Sequence, residues 1–384
     1  MDYTVEKTRI GFTYLNVHCG DEESFDVPDG VEEVVSFGNC PNLKKITIPP
    51  SVSQIDSDAF VNCPQLIDLI IDENNKDYTA ADGILYDNKK VSVMAWYGNG
   101  RNQEELMLPE GVKSISCILY CPDVKKITLP ASVEHIRICA FRGCPKLQEM
   151  VISPKNEKYR AEGGIIYEKN NNEASEWYRY GERDVDLGIP EGVKKITYRT
   201  FYQCPSIRSV KLPNTLTVIE AQAFAECKNL IKVEFPESLL EIEHDAFFEC
   251  EKLQNFQLHE GLTTIGEHAF SRCMEITELN IPNSVKKMEY GVFALCASLK
   301  TVTYYGVTFE PHPWPSYSYD NEKDLRELIL EKHPKKKKLI YKKFPCMDFF
   351  EYLARDNDED AYGYRKEWVD EDYVLSDGEW EVES

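Results

Sequence analysis

Cysteine and histidine are the residues whose chemistry would matter most in this chain, and the cysteines are the more ordered set. Nine of the 13 share one phase of a repeat: Cys40, Cys63, Cys121, Cys144, Cys204, Cys227, Cys250, Cys273 and Cys296. Stacked in register, they would form either a thiolate ladder for metal or redox chemistry or a buried column of small apolar side chains. Burial is the better reading. Equivalent side chains in a stack point the same way, which suits disulfide geometry poorly. No CxxC pair and no Cys/His cluster with zinc spacing occurs. This usage fits a reducing compartment. Of the other four, Cys117 and Cys139 fall on adjacent turns where they could approach each other, and Cys19 and Cys346 lie elsewhere.

The seven histidines, His18, His135, His244, His259, His268, His312 and His333, are scattered over several repeat phases. His244–Asp245 and Glu267–His268 could pass for acid–base dyads, but their place just before an Ala-Phe pair reads as a solvated turn. No glycine-rich phosphate loop, nucleophile elbow or paired-carboxylate motif stands out. With 66 Asp and Glu residues, pairs of acids arise by chance. The expectation is a protein without catalytic residues, cofactor or metal ion.

What positions these residues is a repeat. Phe201, Phe224, Phe247, Phe270 and Phe293 are 23 residues apart, and a cysteine follows each three positions later. Prolines mark the same units at Pro190, Pro213, Pro236 and Pro282, with His259 in the vacant slot. Earlier copies end at Cys40, Cys63, Cys121 and Cys144, which makes nine units. A second period of 81 residues lies above the first: Cys40 to Cys121, Tyr78 to Tyr159, Trp96 to Trp177, Pro109 to Pro190. Two blocks of two repeats plus an insert therefore precede five uninterrupted repeats. Within a unit, Leu43, Ile46 and Ile48 end in a period-2 alternation, which predicts a strand, and the following Pro49 stops it. One unit cannot bury its apolar side alone; stacked units can, with parallel strands about 4.8 Å apart.

This pattern resembles the BspA-like, or treponemal-type, leucine-rich repeats. The inserts match that family's Asn…Tyr…Asp-Gly-Val-Leu-Tyr element, here Asn75…Tyr78…Asp82-Gly83-Ile84-Leu85-Tyr86 and Asn156…Tyr159…Gly163-Gly164-Ile165-Ile166-Tyr167. The resemblance implies a right-handed leucine-rich-repeat solenoid with a parallel concave β-sheet and two β-hairpin inserts. It also implies a binding role, often that of a bacterial surface protein that attaches to host or extracellular proteins. Boundaries follow: an N-terminal cap over 1–26, the solenoid over 27–307 with inserts at about 72–107 and 153–188, and a C-terminal helical and acidic region over 308–384.

Alternation along the strands places one set of side chains on the open, concave face. One column is Lys45, Asp68, Lys126, Glu149, Ser209, Lys232, Asn255, Glu278 and Thr301; its neighbour is Thr47, Ile70, Thr128, Val151, Lys211, Glu234, Gln257, Asn280 and Thr303. The two carry four basic and four acidic residues, a nearly neutral strip for docking a protein, with Ile70 and Val151 as apolar contacts. The insert aromatics (Tyr78, Tyr86, Trp96, Tyr97 and Tyr159, Tyr167, Trp177, Tyr178, Tyr180) are read as packing the hairpins onto the scaffold rather than as contact residues.

Beyond Tyr305, helical faces are expected around Leu325, Leu328 and Ile329, and again around Phe349, Phe350 and Leu353, capping the open end of the stack. Lys335 to Lys338 reads as a solvated turn. From Asp348 onward there are 14 acidic and three basic residues. The aromatics there, Trp368 and Trp380 among them, suggest a docking segment.

A net charge of −22 argues against direct nucleic-acid binding, which needs clustered Lys and Arg. It leaves a basic partner open, including a nucleic-acid-binding enzyme inhibited by an acidic surface. No run of apolar residues is long enough to span a bilayer. Met1 to Gly20 has neither a basic start nor an apolar core. If Met1 is the native start the expected location is cytoplasmic; otherwise it is the cell surface or outside.

Overall fold

The computed structural model of the protein describes residues 2–7, 13–18, 20–179, 181, 184–289, 291–304 and 307–309. It is a parallel-strand solenoid of about 12 turns with almost no helix; the short 3-10 turn Asn99–Arg101 is its helical element among the described residues. The expected C-terminal helices and acidic tail lie outside the described residues.

A plain repeat has a front segment, a tight turn at the proline, a two-residue back strand and a second turn leading to Ala-Phe-x-x-Cys; the front segment is a strand except at 253–259, where the front sheet is interrupted. The proline carbonyl accepts the amide three residues on, as in Val52 N to Pro49 O at 3.4 Å and Leu216 N to Pro213 O at 3.1 Å. Where proline is missing, the carbonyl of His259 serves in the same way for Leu262 N, at 3.2 Å. Front strands pair in register with their apolar members inward: Ile46 opposes Leu69, Ile127 opposes Met150, and Val210 opposes Val233. The back ladder aligns Ala174, Ile196, Ile219, Ile242, Ile265 and Met288. Between the ladders, Phe201, Phe224, Phe247, Phe270 and Phe293 stack with ring centroids 4.8 to 5.6 Å apart. Each fully buried large apolar side chain contributes roughly 1.5–3 kcal/mol, so every added turn stabilises its neighbours.

The structure holds more front strands than the nine units show. Ser24–Asp26 pairs with Lys45–Ile48, Glu105–Met107 with Lys126–Leu129, and Val185–Gly188 with Ile207–Lys211. These three strands lie 81 residues apart in phase, one at the head of each block. They lack the Phe and Cys of a full unit because a different device returns the chain. Their legible trace is an apolar-x-apolar-Pro ending (Phe25-Asp26-Val27-Pro28, Leu106-Met107-Leu108-Pro109, Leu187-Gly188-Ile189-Pro190), the same as Ile46-Thr47-Ile48-Pro49.

That device is the insert. The antiparallel hairpins are present, Ile84–Asp87 with Ser92–Trp96 and Ile165–Glu168 with Glu173–Trp177. Each has a further strand, Tyr78–Ala81 or Tyr159–Glu162, making a three-stranded meander. The meander's last strand is itself a rung of the back ladder: Val93 pairs in parallel with Ile115, and Ala174 with Ile196. The strand Thr13–His18 does the same, being antiparallel to Asp2–Lys7 and parallel to Glu33–Gly38, with Leu15 opposite Val34.

Candidate functional site

The front face is where side chains stand clear of the core. Lys45, Asp68, Ile70, Glu149, Lys211, Lys232, Glu234 and Glu278 are exposed, and Lys126 and Val151 are half-buried. Register brings Lys45 beside Asp68, Lys126 beside Glu149, and Lys211 beside Glu234. The ion pairs that form are fewer. Lys126 reaches Glu149 at 3.4 Å, while Lys232 turns to Glu234 on its own strand at 2.6 Å. Asp68 faces Arg101 at 3.8 Å, from the turn that closes the first insert. Among the described residues, Lys45 and Lys211 have no ion-pair partner. Trp368 and Trp380 lie outside the described residues.

The three additional strands change the character of this face. They add Asp26, Glu105 and Asp186, all exposed, so the two columns carry seven acidic residues against four basic ones rather than equal numbers. They also add Met107, which is 72% exposed and holds in its sheet the column position that Ile70, at 44%, holds in the sheet before it. Thr47 is paired with Ile70, and Met107 with Thr128, which pairs with Val151.

The insert aromatics do not reach that face. Tyr78, Tyr86, Trp96, Tyr97, Tyr159, Tyr167, Trp177 and Tyr178 are all buried; Tyr180 lies outside the described residues. Their polar atoms close the edge of the repeat below. Asn75 donates through Nδ2 to the carbonyls of Pro49 and Val52, and its Oδ1 accepts the amides of Asp77 and Tyr78. The Tyr78 hydroxyl accepts the amide of Ile55 at 3.0 Å. Asn156 and Tyr159 repeat the arrangement on Val133 and Ile136. Because a buried, unpaired backbone group costs about 1–3 kcal/mol, these side chains are what allow the regular ladder to stop.

The cysteine column is buried, and it has a polar task. The thiols of Cys227, Cys250, Cys273 and Cys296 donate to the carbonyls of Phe201, Phe224, Phe247 and Phe270, at 3.1 to 3.3 Å. Burial pushes Cys63 and Cys296 up to about 12, and Cys273 well above the ordinary thiol range. Eight members are free thiols, but Cys40 is disulfide-bonded, which removes the argument for a reducing compartment drawn from this column. Cys117 and Cys139 serve different contacts: the Cys117 thiol donates to Ser57 O at 3.2 Å, and the Cys139 amide donates to Glu176 at 2.9 Å.

On the second turn, His244, Asp245, Glu267 and His268 meet Glu289 around a shallow depression of about 330 Å³. His268 Nδ1 stands 3.9 Å from both Asp245 and Glu267. Among the described residues no three His, Cys, Asp or Glu side chains are placed to hold a metal ion. No helix there is long and apolar enough to cross a membrane.

Residues 13–96, 91–162 and 185–309 match the family described as BspA type leucine rich repeat region, in 6 copies. Among solved structures, a leucine rich cell surface protein from Faecalibacterium prausnitzii is 23% identical, with 79% of this chain and 93% of that one covered and a TM-score of 0.48. A leucine-rich repeat protein from Eubacterium ventriosum is 19% identical over 77% and 81% of the two chains, with a TM-score of 0.50. The leucine rich repeat protein of T. pallidum is 28% identical over 39% and 70%, with a TM-score of 0.33. The curated proteins gave no match.

Proposed function

Because this chain belongs to the BspA-type leucine-rich repeat family, we propose that it is a non-catalytic scaffold whose concave strand face holds a protein partner. The observation that carries this reading is the exposure of Met107 and Ile70 at one column position of successive front sheets whose neighbouring side chains are mostly acidic. Interfaces of this kind place a few apolar anchors inside a charged rim. The excess of acid on the face favours a partner segment that offers apolar and basic side chains together. The buried state of the insert aromatics and the raised thiols of the cysteine column support a scaffold role for those residues. A location at the cell surface belongs to the same proposal.

The test is affinity capture from the native cell with three baits: the wild-type chain, Ile70→Asp/Met107→Asp, and a back-ladder control, Lys287→Glu. Loss of a captured protein with the front variant alone supports the front face. Equal capture by all three baits rejects it.

A further inference from the structure

The apolar interior is not one column but three clusters, Leu15 to Tyr97, Ile84 to Tyr178, and Ile165 to Tyr304. The inserts are the walls between them. Alternation along each meander sends successive side chains to opposite sides. Leu85, Ala95 and Tyr97 pack into the first cluster, while Ile84, Tyr86, Val93 and Trp96 pack into the second. The second wall repeats this, with Ile166 and Tyr178 facing back and Ile165, Tyr167, Ala174 and Trp177 facing forward.

The two walls differ in polarity at one buried position. Where the first has Ala95, the second, 81 residues on, has Glu176. Glu176 is 2% exposed. Its Oε2 accepts the Cys139 amide at 2.9 Å, and the Phe141 amide also favours the charged form of the carboxyl. In the plain repeats these positions are served by the next Ala-Phe turn, as in Phe224 N to Ala246 O at 2.8 Å. The carboxyl thus takes the place of a missing backbone carbonyl. Its other oxygen, Oε1, is buried without a hydrogen-bond partner.

We propose that the second wall is a proton-sensitive joint: while Glu176 keeps its proton the second and third clusters stay closed on each other, its ionisation opens the stack there, and the first wall does not respond. An ionised carboxylate with one oxygen unserved is far costlier to bury than a neutral carboxyl. Burial accordingly pushes Glu176 well above the usual carboxylate range. The Cys139 and Phe141 amides act against that rise and the Cys144 thiol adds to it. Cys139 and Cys204 also lie within electrostatic reach of the carboxyl, and Arg142 and Arg199 within reach of Cys139. Because the closed state binds the proton more tightly than the open one, its advantage is complete below the ordinary glutamate range and falls as pH rises towards the closed-state value. The proton passes to solvent on opening.

Hydrogen exchange of the full chain between about pH 5.5 and about pH 8.5, divided by the intrinsic rate at each pH, tests this, since one linked proton changes opening by up to about tenfold per pH unit. The expected result is a rising opening rate in peptides covering 137–144 and 173–178, with peptides covering 55–60 and 92–97 flat. E176Q should be flat at both walls. A rise that persists in E176Q, or that appears equally at both walls of the wild type, overturns the proposal. Should E176Q fail to fold, A95E decides: a loss of thermal stability that deepens with pH supports the joint, and a loss independent of pH overturns it.

Discussion

The Tyr78 hydroxyl accepts the amide proton of Ile55 at 3.0 Å, so a side chain from the first insert completes the backbone ladder of the repeat beneath it. Removing the oxygen alone leaves that amide buried and unserved. Tyr78→Phe should therefore lower stability by about 1–3 kcal/mol. Tyr14, whose hydroxyl donates to Glu6 at an exposed position, provides the control: Tyr14→Phe should cost under about 0.5 kcal/mol. Urea unfolding of the two variants distinguishes them, and equal losses would show that water serves Ile55.

The thiols give a chemical prediction. With Cys63 and Cys296 pushed up to about 12 by burial, almost no thiolate exists near neutral pH, and the thiolate is the reactive form. Iodoacetamide at about pH 7.5 should leave both unmodified in the folded protein and label them once denaturant is added. Cys250→Ala should destabilise by about 1–2 kcal/mol, since it removes both packing and the bond to Phe224 O. Rapid labelling of the native protein would mean that the column breathes.

Two backbone positions should respond in opposite directions. A side chain on Gly100 would run into the carbonyl of Gln65, so Gly100→Ala should lose about 1–3 kcal/mol. Leu295 holds a left-handed conformation with φ of 57°, which costs a non-glycine residue roughly 1–2 kcal/mol. Leu295→Gly should recover part of that, less the half-buried side chain, and leave stability unchanged or slightly raised. A thermal melt that falls by several degrees for Leu295→Gly would contradict the strain argument.

Salt should separate folding from binding. The ion pairs of the front face are exposed and contribute little each, so raising the salt from about 50 mM to about 500 mM should leave the melting temperature nearly constant. Capture of a basic partner by the acidic face should weaken over the same range, because screening shortens the reach of exposed charges. Capture that is indifferent to salt would leave the exposed Ile70 and Met107 side chains as the sole basis of attachment.

The repeat was legible because its chemistry is periodic: Phe224, Cys227 and Pro236 return at a fixed step, and each marks a turn or a buried layer. Ser24–Asp26, Glu105–Met107 and Val185–Gly188 escaped because a meander strand, not a Phe-x-x-Cys turn, brings the chain to them. Only the apolar-x-apolar-Pro ending announces them, and without them the front face looks neutral and Met107 goes unnoticed. The buried place of the insert aromatics followed from packing sense, but the work of Asn75 and Tyr78 did not. Nothing in a sequence shows which amides a stack leaves unserved. Glu176 was hidden for the same reason, as one acid among 66 in the chain.

Each wall carries two faces, one fitted to the repeats before it and one to those after. An 81-residue block inherited in duplicate therefore arrives with its own boundary already built. A lineage could lengthen this protein by whole blocks without inventing a new seal each time, and a recombination event that respected that frame would leave no raw edge exposed. On this account Glu176 records a point at which one copy has drifted from its sibling while keeping the same place in the chain.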